Sequence, residues 1–331
     1  MTSRTITLRA FCSAKGGVGK STLAVAAAKL LAARGRAVVV LDADLTGTSL
    51  ADGLDLCAPK LSTLDDGTVD YLSASGELLD RGATVKARDL RARAVPEIVP
   101  PPPFLSDLLV YPVEEDAELP LAPLFWRMRR DDGVRYLPSS PLANDVSMAL
   151  GWLDTSNDSA WTHRLVWLLD AMLDRAGAID DIVFDLPPGL FGFSVKVLSL
   201  LSHLQRMEEL QGMPPGYPRW ERRDVQWRCD PVLVTSQDRN DLWACVDWYA
   251  RNRADLLTLR LLVNKHTLPL PRVEKEATER LNKLGLPIDR LPLRGVGLQQ
   301  GTLARVFSKE HDMKLDDLGL LRAALLGEEE M

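Results

Sequence analysis

The segment Ser13-Ala14-Lys15-Gly16-Gly17-Val18-Gly19-Lys20-Ser21-Thr22 places two lysines five residues apart on one glycine-rich loop. Glycines at this density let the backbone approach an anion closely and turn successive N–H groups inward on it. Gly19-Lys20-Ser21 has the spacing of a phosphate loop, in which Lys20 reaches the β- and γ-phosphates of a nucleotide and the Ser21 hydroxyl ligates Mg²⁺. Gly16, Gly17, Val18, Gly19, Lys20, Ser21 and Thr22 are therefore the candidate nucleotide contacts.

Carboxylates recur where they could serve that chemistry. Ala37-Val38-Val39-Val40-Leu41 ends in Asp42-Ala43-Asp44, and Asp181-Ile182-Val183-Phe184 ends in Asp185, followed by Leu186-Pro187-Pro188-Gly189. Continuous apolar runs of this kind suit central parallel strands buried on both faces, and the carboxyl ends of such strands are where α/β proteins bind ligands. A carboxylate held there can bind magnesium directly or through water. The prolines after Asp185 forbid continuation as strand or helix, so the chain must leave the sheet at that point.

The elements that must position these groups can be placed. An apolar run from Ile6 to Phe11 leads into the loop. A helix follows it, with Leu23, Ala27, Leu30 and Leu31 on one apolar face and Gly35 placed to stop it. Its first turn aims a positive dipole end at the phosphates. Val134–Leu137 reads as a strand, Trp161–Leu173 as a long helix, and Pro231–Thr235 and Leu256–Val263 as strands separated by a helix through Leu242, Cys245, Val246 and Tyr249. The expected fold is α/β, a doubly wound, mainly parallel sheet flanked by helices on both faces. Residues 1–331 are read as a single domain with insertions near 54–132 and 205–230. These hold Pro100-Pro101-Pro102-Pro103 and a group of Met, Pro and Trp residues, read as loops or a partner-binding surface.

Ala14 stands where the standard loop has glycine, and Lys15 follows it. That combination, with acids at both strand ends in the same order, resembles the ParA/MinD family of deviant phosphate-loop ATPases. The resemblance implies that Lys15 crosses a homodimer interface to the partner's nucleotide and that Asp44 orients or deprotonates the attacking water. It also implies that Asp42 lies near the magnesium shell with Asp185 as the metal-side acid, and that the Gly189 N–H senses the γ-phosphate. Asn264, at a strand end, would read adenine through its amide, and Pro292 would lie on the far side of the base. The implied activity is slow Mg²⁺-dependent ATP hydrolysis coupled to ATP-dependent dimerisation, reset by an activating protein partner and used to position a cargo. The alternative is a metabolic P-loop enzyme of the dethiobiotin synthetase or cobyrinate amidase type, whose substrate-binding chemistry is not located in the sequence.

Composition sets the remaining expectations. With 46% hydrophobic and 26% charged residues the chain can bury a large core, and a net charge of −6 gives no general attraction to nucleic acid or anionic lipid. Residues 251–309 nevertheless hold twelve Lys or Arg against five Asp or Glu, a local surplus through which non-specific duplex DNA could be held. Four scattered cysteines without a CxxC pair indicate neither zinc knuckle nor disulfide framework, and a reduced cytoplasmic setting is expected. Leu315–Leu326 is leucine-rich but flanked by Asp316, Asp317 and Glu328-Glu329-Glu330, so core packing is expected in place of membrane insertion.

Overall fold

Strands and helices alternate along the chain as a parallel sheet with crossover helices requires. In the computed structural model, which describes residues 4–47, 49–57, 61–63, 69–71, 104–110, 125–128, 131–141, 143–155, 158–175, 177–207, 224–252, 259–264, 269–285, 293–296 and 325–326, the order begins with β1 (Arg4–Ser13), α1 (Lys20–Ala32) and β2 (Val38–Asp42). Short pieces follow: α2 (Ser49–Gly53), β3 (Leu56–Cys57), β4 (Leu61–Thr63), β5 (Val69–Tyr71), α3 (Leu105–Leu109) and β6 (Arg127–Met128). Then come β7 (Val134–Leu137), α4 (Ala143–Thr155), α5 (Asp158–Arg175), β8 (Asp181–Asp185) and α6 (Phe193–Arg206). The last group is β9 (Val225–Thr235), α7 (Arg239–Asn252), β10 (Arg260–Asn264), α8 (Leu270–Lys283) and β11 (Leu293–Val296).

Among the described residues the main sheet has seven strands, all parallel, in the order β11-β10-β9-β1-β8-β2-β7. Strand β2 shows why the apolar runs are continuous. Val38 and Val40 join the core on the α1 side, with Leu23, Leu30 and Leu31, while Val39 and Leu41 join the opposite core with Leu168, Leu200 and Leu261. Helix α1 is buried more completely than one apolar face implies, because Ala24, Ala26 and Ala28 are small enough to sit against neighbours on its other sides. Gly35, at φ 76°, takes the left-handed turn that ends it.

Several boundaries differ from the sequence reading. Helix α5 runs Asp158–Arg175 where Trp161–Leu173 was expected, and β10 is Arg260–Asn264 where Leu256–Val263 was expected, residues 253–258 lying outside the described residues. Strand β9 begins at Val225, six residues before the expected start at Pro231, and its first half alternates buried and exposed residues. Pro231 lies inside it because, among the described residues, β10 pairs from Val232 onward and the earlier half has β1 as its sheet partner. A residue without an N–H is tolerated on such an edge. The expected insertion at 205–230 is correspondingly shorter, since Gln205 and Arg206 complete α6 and Trp227 is buried. Residues 208–223 lie outside the described residues.

Within the expected excursion at 54–132, Phe104, Trp126 and Met128 enter the α1-side core and Leu105, Leu108, Leu109 and Phe125 the other. The end of α3 is capped by Arg164, which donates to the carbonyls of Leu108 and Leu109. Leu293-Arg294, just after Pro292, lies in a strand paired with Leu261 and Leu262, at the edge of the sheet among the described residues. The expected packing of the leucine-rich tail holds where it is described, with Leu325 and Leu326 buried on the α1 side and Arg260 donating to the Leu325 carbonyl.

Candidate functional site

Strand order assembles the site. Strand β8 lies between β1 and β2, and its register sets Asp185 opposite Phe11 on one side and Asp42 on the other. The phosphate loop leaves β1 at Ser13, so the loop and both acidic strand ends meet at one edge of the sheet.

The loop turns through Gly17 at φ 77° and Gly19 at φ 88°, the latter immediately before α1. These are left-handed values that a side chain would strain. Lys20, the first residue of α1, is buried and its ammonium pairs with Asp185 Oδ1. Lys20 Nζ is also 3.5 Å from Ser21 Oγ. In this structure, then, the lysine expected on the phosphates rests on the acid expected at the metal, a pairing a bound nucleotide would have to displace.

Asp42 is fully buried. Burial, then the nearby charges of Asp185 and Asp44, push its carboxyl well above the usual carboxylate range, while Lys20 and a hydrogen bond from the Ser139 backbone N–H pull it back. Asp42 Oδ1 and Asp185 Oδ2 are buried without hydrogen-bond partners. Two orphaned carboxylate oxygens at one sheet edge, beside the Ser21 hydroxyl, fit a magnesium ion. Among the described residues no three acidic, His or Cys side chains are clustered tightly enough to hold a metal by themselves. That fits an ion held largely by nucleotide phosphates and water, as Mg²⁺ usually is.

Asp44 is buried, and its carboxylate accepts from Thr46 Oγ1 at 3.0 Å. A Cβ on Gly47 would lie 2.6 Å from Asp44 Oδ2, so the missing side chain makes room for the carboxylate. The Gly189 N–H donates to the Ser13 carbonyl at 2.9 Å, tying the second acidic loop to the base of the phosphate loop.

Two expected ligand-facing residues have partners within the chain. Asn264 is fully buried at the end of β10, where its amide donates to the Val18 carbonyl at 2.7 Å and braces the phosphate loop. Lys15 is 52% exposed, and its ammonium sits 2.5 Å from Asp241 Oδ1 on α7. Pro292 lies outside the described residues.

The sequence reading missed three features here. Ser139, one residue beyond the Pro138 that follows β7, is fully buried with its hydroxyl 2.6 Å from the Asp42 carbonyl and 3.0 Å from the Asp44 carbonyl. Nothing local in Pro138-Ser139-Ser140-Pro141 marks its first serine. Asp241 as the partner of Lys15 was also unmarked, being one acid among several near the start of α7. Phe191, on the second acidic loop, is 76% exposed and its ring lies against Gly189. Met148 and Leu150 of α4 are exposed too, and that helix packs through Trp152 on Trp161 and Phe193.

The basic surplus is muted where it can be seen. Helix α8 carries Arg272, Lys275, Arg280 and Lys283 among Glu274, Glu276 and Glu279, and Arg280 is paired with Asp247. Cys12, Cys229 and Cys245 are free and buried, and burial pushes their thiols up, as expected of structural cysteines. Among the described residues no helix is long and apolar enough to cross a membrane.

Comparison with known proteins agrees with this geometry. The family model described as ParA, NUBPL iron-transfer P-loop NTPase, matches residues 5–70, which span the phosphate loop and the first acidic loop. The chain's structure is similar to that of a plasmid partition protein from Borrelia burgdorferi bound to AMPPNP, at TM-score 0.52 and 14% identity over 99% of each chain. It is similar to apo McdA from Cyanothece, at TM-score 0.52 and 13% identity over 98% of this chain and 99% of that one. A third similar structure is the MinC:MinD cell division complex from Aquifex aeolicus, at TM-score 0.52 and 13% identity over 98% of both chains. No curated protein matches the chain. What the chain shares with these proteins is the phosphate-loop segment matched by that family model and, over nearly its whole length, the fold of the partition and cell-division structures.

Proposed function

We propose that the chain is an ATP-driven switch that binds MgATP at the carboxyl edge of the sheet, dimerises on it and hydrolyses it slowly to position a cargo. The observation that carries this reading is the convergence of Lys20, Asp42, Asp44 and Asp185 around one phosphate loop that also carries an exposed second lysine. The residues from Gly16 to Thr22 bind the phosphates. Ser21, Asp185 and Asp42 hold magnesium, which when bound supplies the positive charge that stabilises the transferred phosphoryl group. Lys20 leaves Asp185 for the β- and γ-phosphates, and Asp44, seated in the space beside Gly47, orients the attacking water.

Lys15 is the residue available to a second subunit, because it is half exposed and its pairing with Asp241 is of the weak, solvent-screened surface kind. The whole chain acts as one domain, in the cytoplasm. An activating protein partner resets the cycle, as the MinC:MinD complex illustrates for a structural relative's capacity to hold a second protein.

The test separates assembly from chemistry. With Asp44→Ala, ATP should stay bound and light scattering should show a persistent dimer in ATP. With Lys15→Ala the protein should bind ATP as a monomer and hydrolyse it poorly. If both remain monomeric in ATP, or if Lys15→Ala hydrolyses normally, the switch reading is wrong and a self-contained metabolic enzyme moves ahead.

A further inference from the structure

We infer that Ser139 is a positioning residue for hydrolysis, holding the Asp42–Asp44 turn so that the Asp44 carboxylate stays in place; this rests on the ATPase reading above. Strand β7 pairs with β2 from Val38↔Val134 to Leu41↔Leu137, which brings the chain just beyond β7 alongside the first acidic loop. Ser139 reaches that loop through its side chain. Its hydroxyl, with one proton to give, lies within hydrogen-bond distance of the carbonyls of both Asp42 and Asp44, at 2.6 and 3.0 Å.

Between those two carbonyls sits Ala43, whose own N–H donates to the Asp185 carbonyl at 2.9 Å. The turn is thus held from β7 on one side and from β8 on the other. The first acidic loop is also held by the Thr46 hydroxyl on the Asp44 carboxylate, the Leu50 N–H on Asp42 Oδ2 at 3.4 Å and the Gly47 N–H on the Asp44 carbonyl at 2.9 Å. Replacing Ser139 by alanine removes the donor that the Asp42 and Asp44 carbonyls share and leaves the Asp44 carbonyl with Gly47. Carbonyls in that state recover hydrogen bonds by moving, and here they can move only by turning the residues that carry the two acids. The Ser139 hydroxyl bonds the first acidic loop and not the phosphate loop among the described residues, so ATP binding and ATP-dependent dimerisation should persist.

The test is a double-mutant cycle on single-turnover phosphate release at saturating MgATP, with ATP affinity by calorimetry and assembly by light scattering. Ser139→Ala should slow release roughly ten- to hundredfold, the range that misplacement of a catalytic group by about 1 Å produces, with ATP affinity changed less than about threefold. On an Asp44→Ala background the same substitution should have no further effect on the rate, because the group it positions is gone. Ser139→Cys, nearly isosteric with a weak donor, should show the same pattern and keeps the test open if the alanine variant does not fold. Wild-type rates in the serine variants overturn the inference. So does an equal loss in both backgrounds, or a loss that tracks weakened ATP binding, since either marks a merely structural role. If Asp44→Ala itself releases phosphate at the wild-type rate, the ATPase mechanism fails first and the inference falls with it.

Discussion

Gly47→Ala should disable hydrolysis while leaving the fold and nucleotide binding intact. Gly47 does not occupy the left-handed region, so alanine can take its backbone conformation without strain. The conflict is with one side chain: the new Cβ would lie 2.6 Å from Asp44 Oδ2 and 2.7 Å from Cγ. To reach ordinary contact at 3.4 Å the carboxylate must retreat by about 0.8 Å, stretching its 3.0 Å hydrogen bond from Thr46. The end of a short side chain can make that move at small cost to stability. Catalysis is less tolerant, since displacement of a reacting group by about 1 Å can cost about a hundredfold in rate. The expected loss in kcat is therefore roughly ten- to hundredfold, or about 1.4–2.7 kcal/mol of barrier. Phosphate release at saturating MgATP reads it, with calorimetric ATP affinity and the thermal midpoint as controls that should barely change. A Gly47→Ala protein within twofold of the wild-type rate, beside an inactive Asp44→Ala protein, would refute the placement of Asp44 as the water-orienting group.

Lys20→Ala should abolish ATP binding and destabilise the apo protein by about 3–5 kcal/mol in urea, because it strands a buried Asp185 carboxylate; Lys20→Ala combined with Asp185→Ala should recover much of that loss. Asn264→Ala leaves the buried Val18 carbonyl without that donor and should cost about 1–3 kcal/mol, with weaker ATP binding because the phosphate loop loses its brace. Unchanged stability would mean the brace is not needed.

The Lys15–Asp241 pair should respond to salt and not to pH between about 5 and 9. Burial raises Asp241, but hydrogen bonds from Lys15 and Ser236 outweigh it and leave the group depressed; its contribution is present above the unfolded value of about 3.9 and is lost only as pH falls through the lower folded one. The hydrogen bond to Asp241 raises Lys15, so its contribution is present below about 10.4 and is lost only as pH rises through the folded value. The stability difference between wild type and Asp241→Asn should be flat across that window and shrink with added salt, and a slope near pH 7 would refute the pairing.

The sequence by itself placed the candidate chemical groups at each strand end. A glycine-rich loop with Lys20 and Ser21 can do little besides cradle phosphates, and an apolar run such as Val38–Leu41 can be satisfied only by burial on both faces, which already implies a parallel sheet covered on two sides. Those signals are local, carried by residue type and spacing over ten residues or fewer. Which strand ends become neighbours is not local. Parallel strands are joined by long crossovers that leave their order open, and only the tertiary structure put β8 between β1 and β2, set Asp185 beside Asp42 and brought Lys20 onto Asp185. The same holds for Ser139, Asp241 and Asn264, whose roles come from partners far away in the chain. Pro231 shows the reverse error: proline reads locally as the first residue of a strand, yet pairing with β1, the partner of that half of β9 among the described residues, lets the strand run through it. Position in the sheet decided what residue type could not.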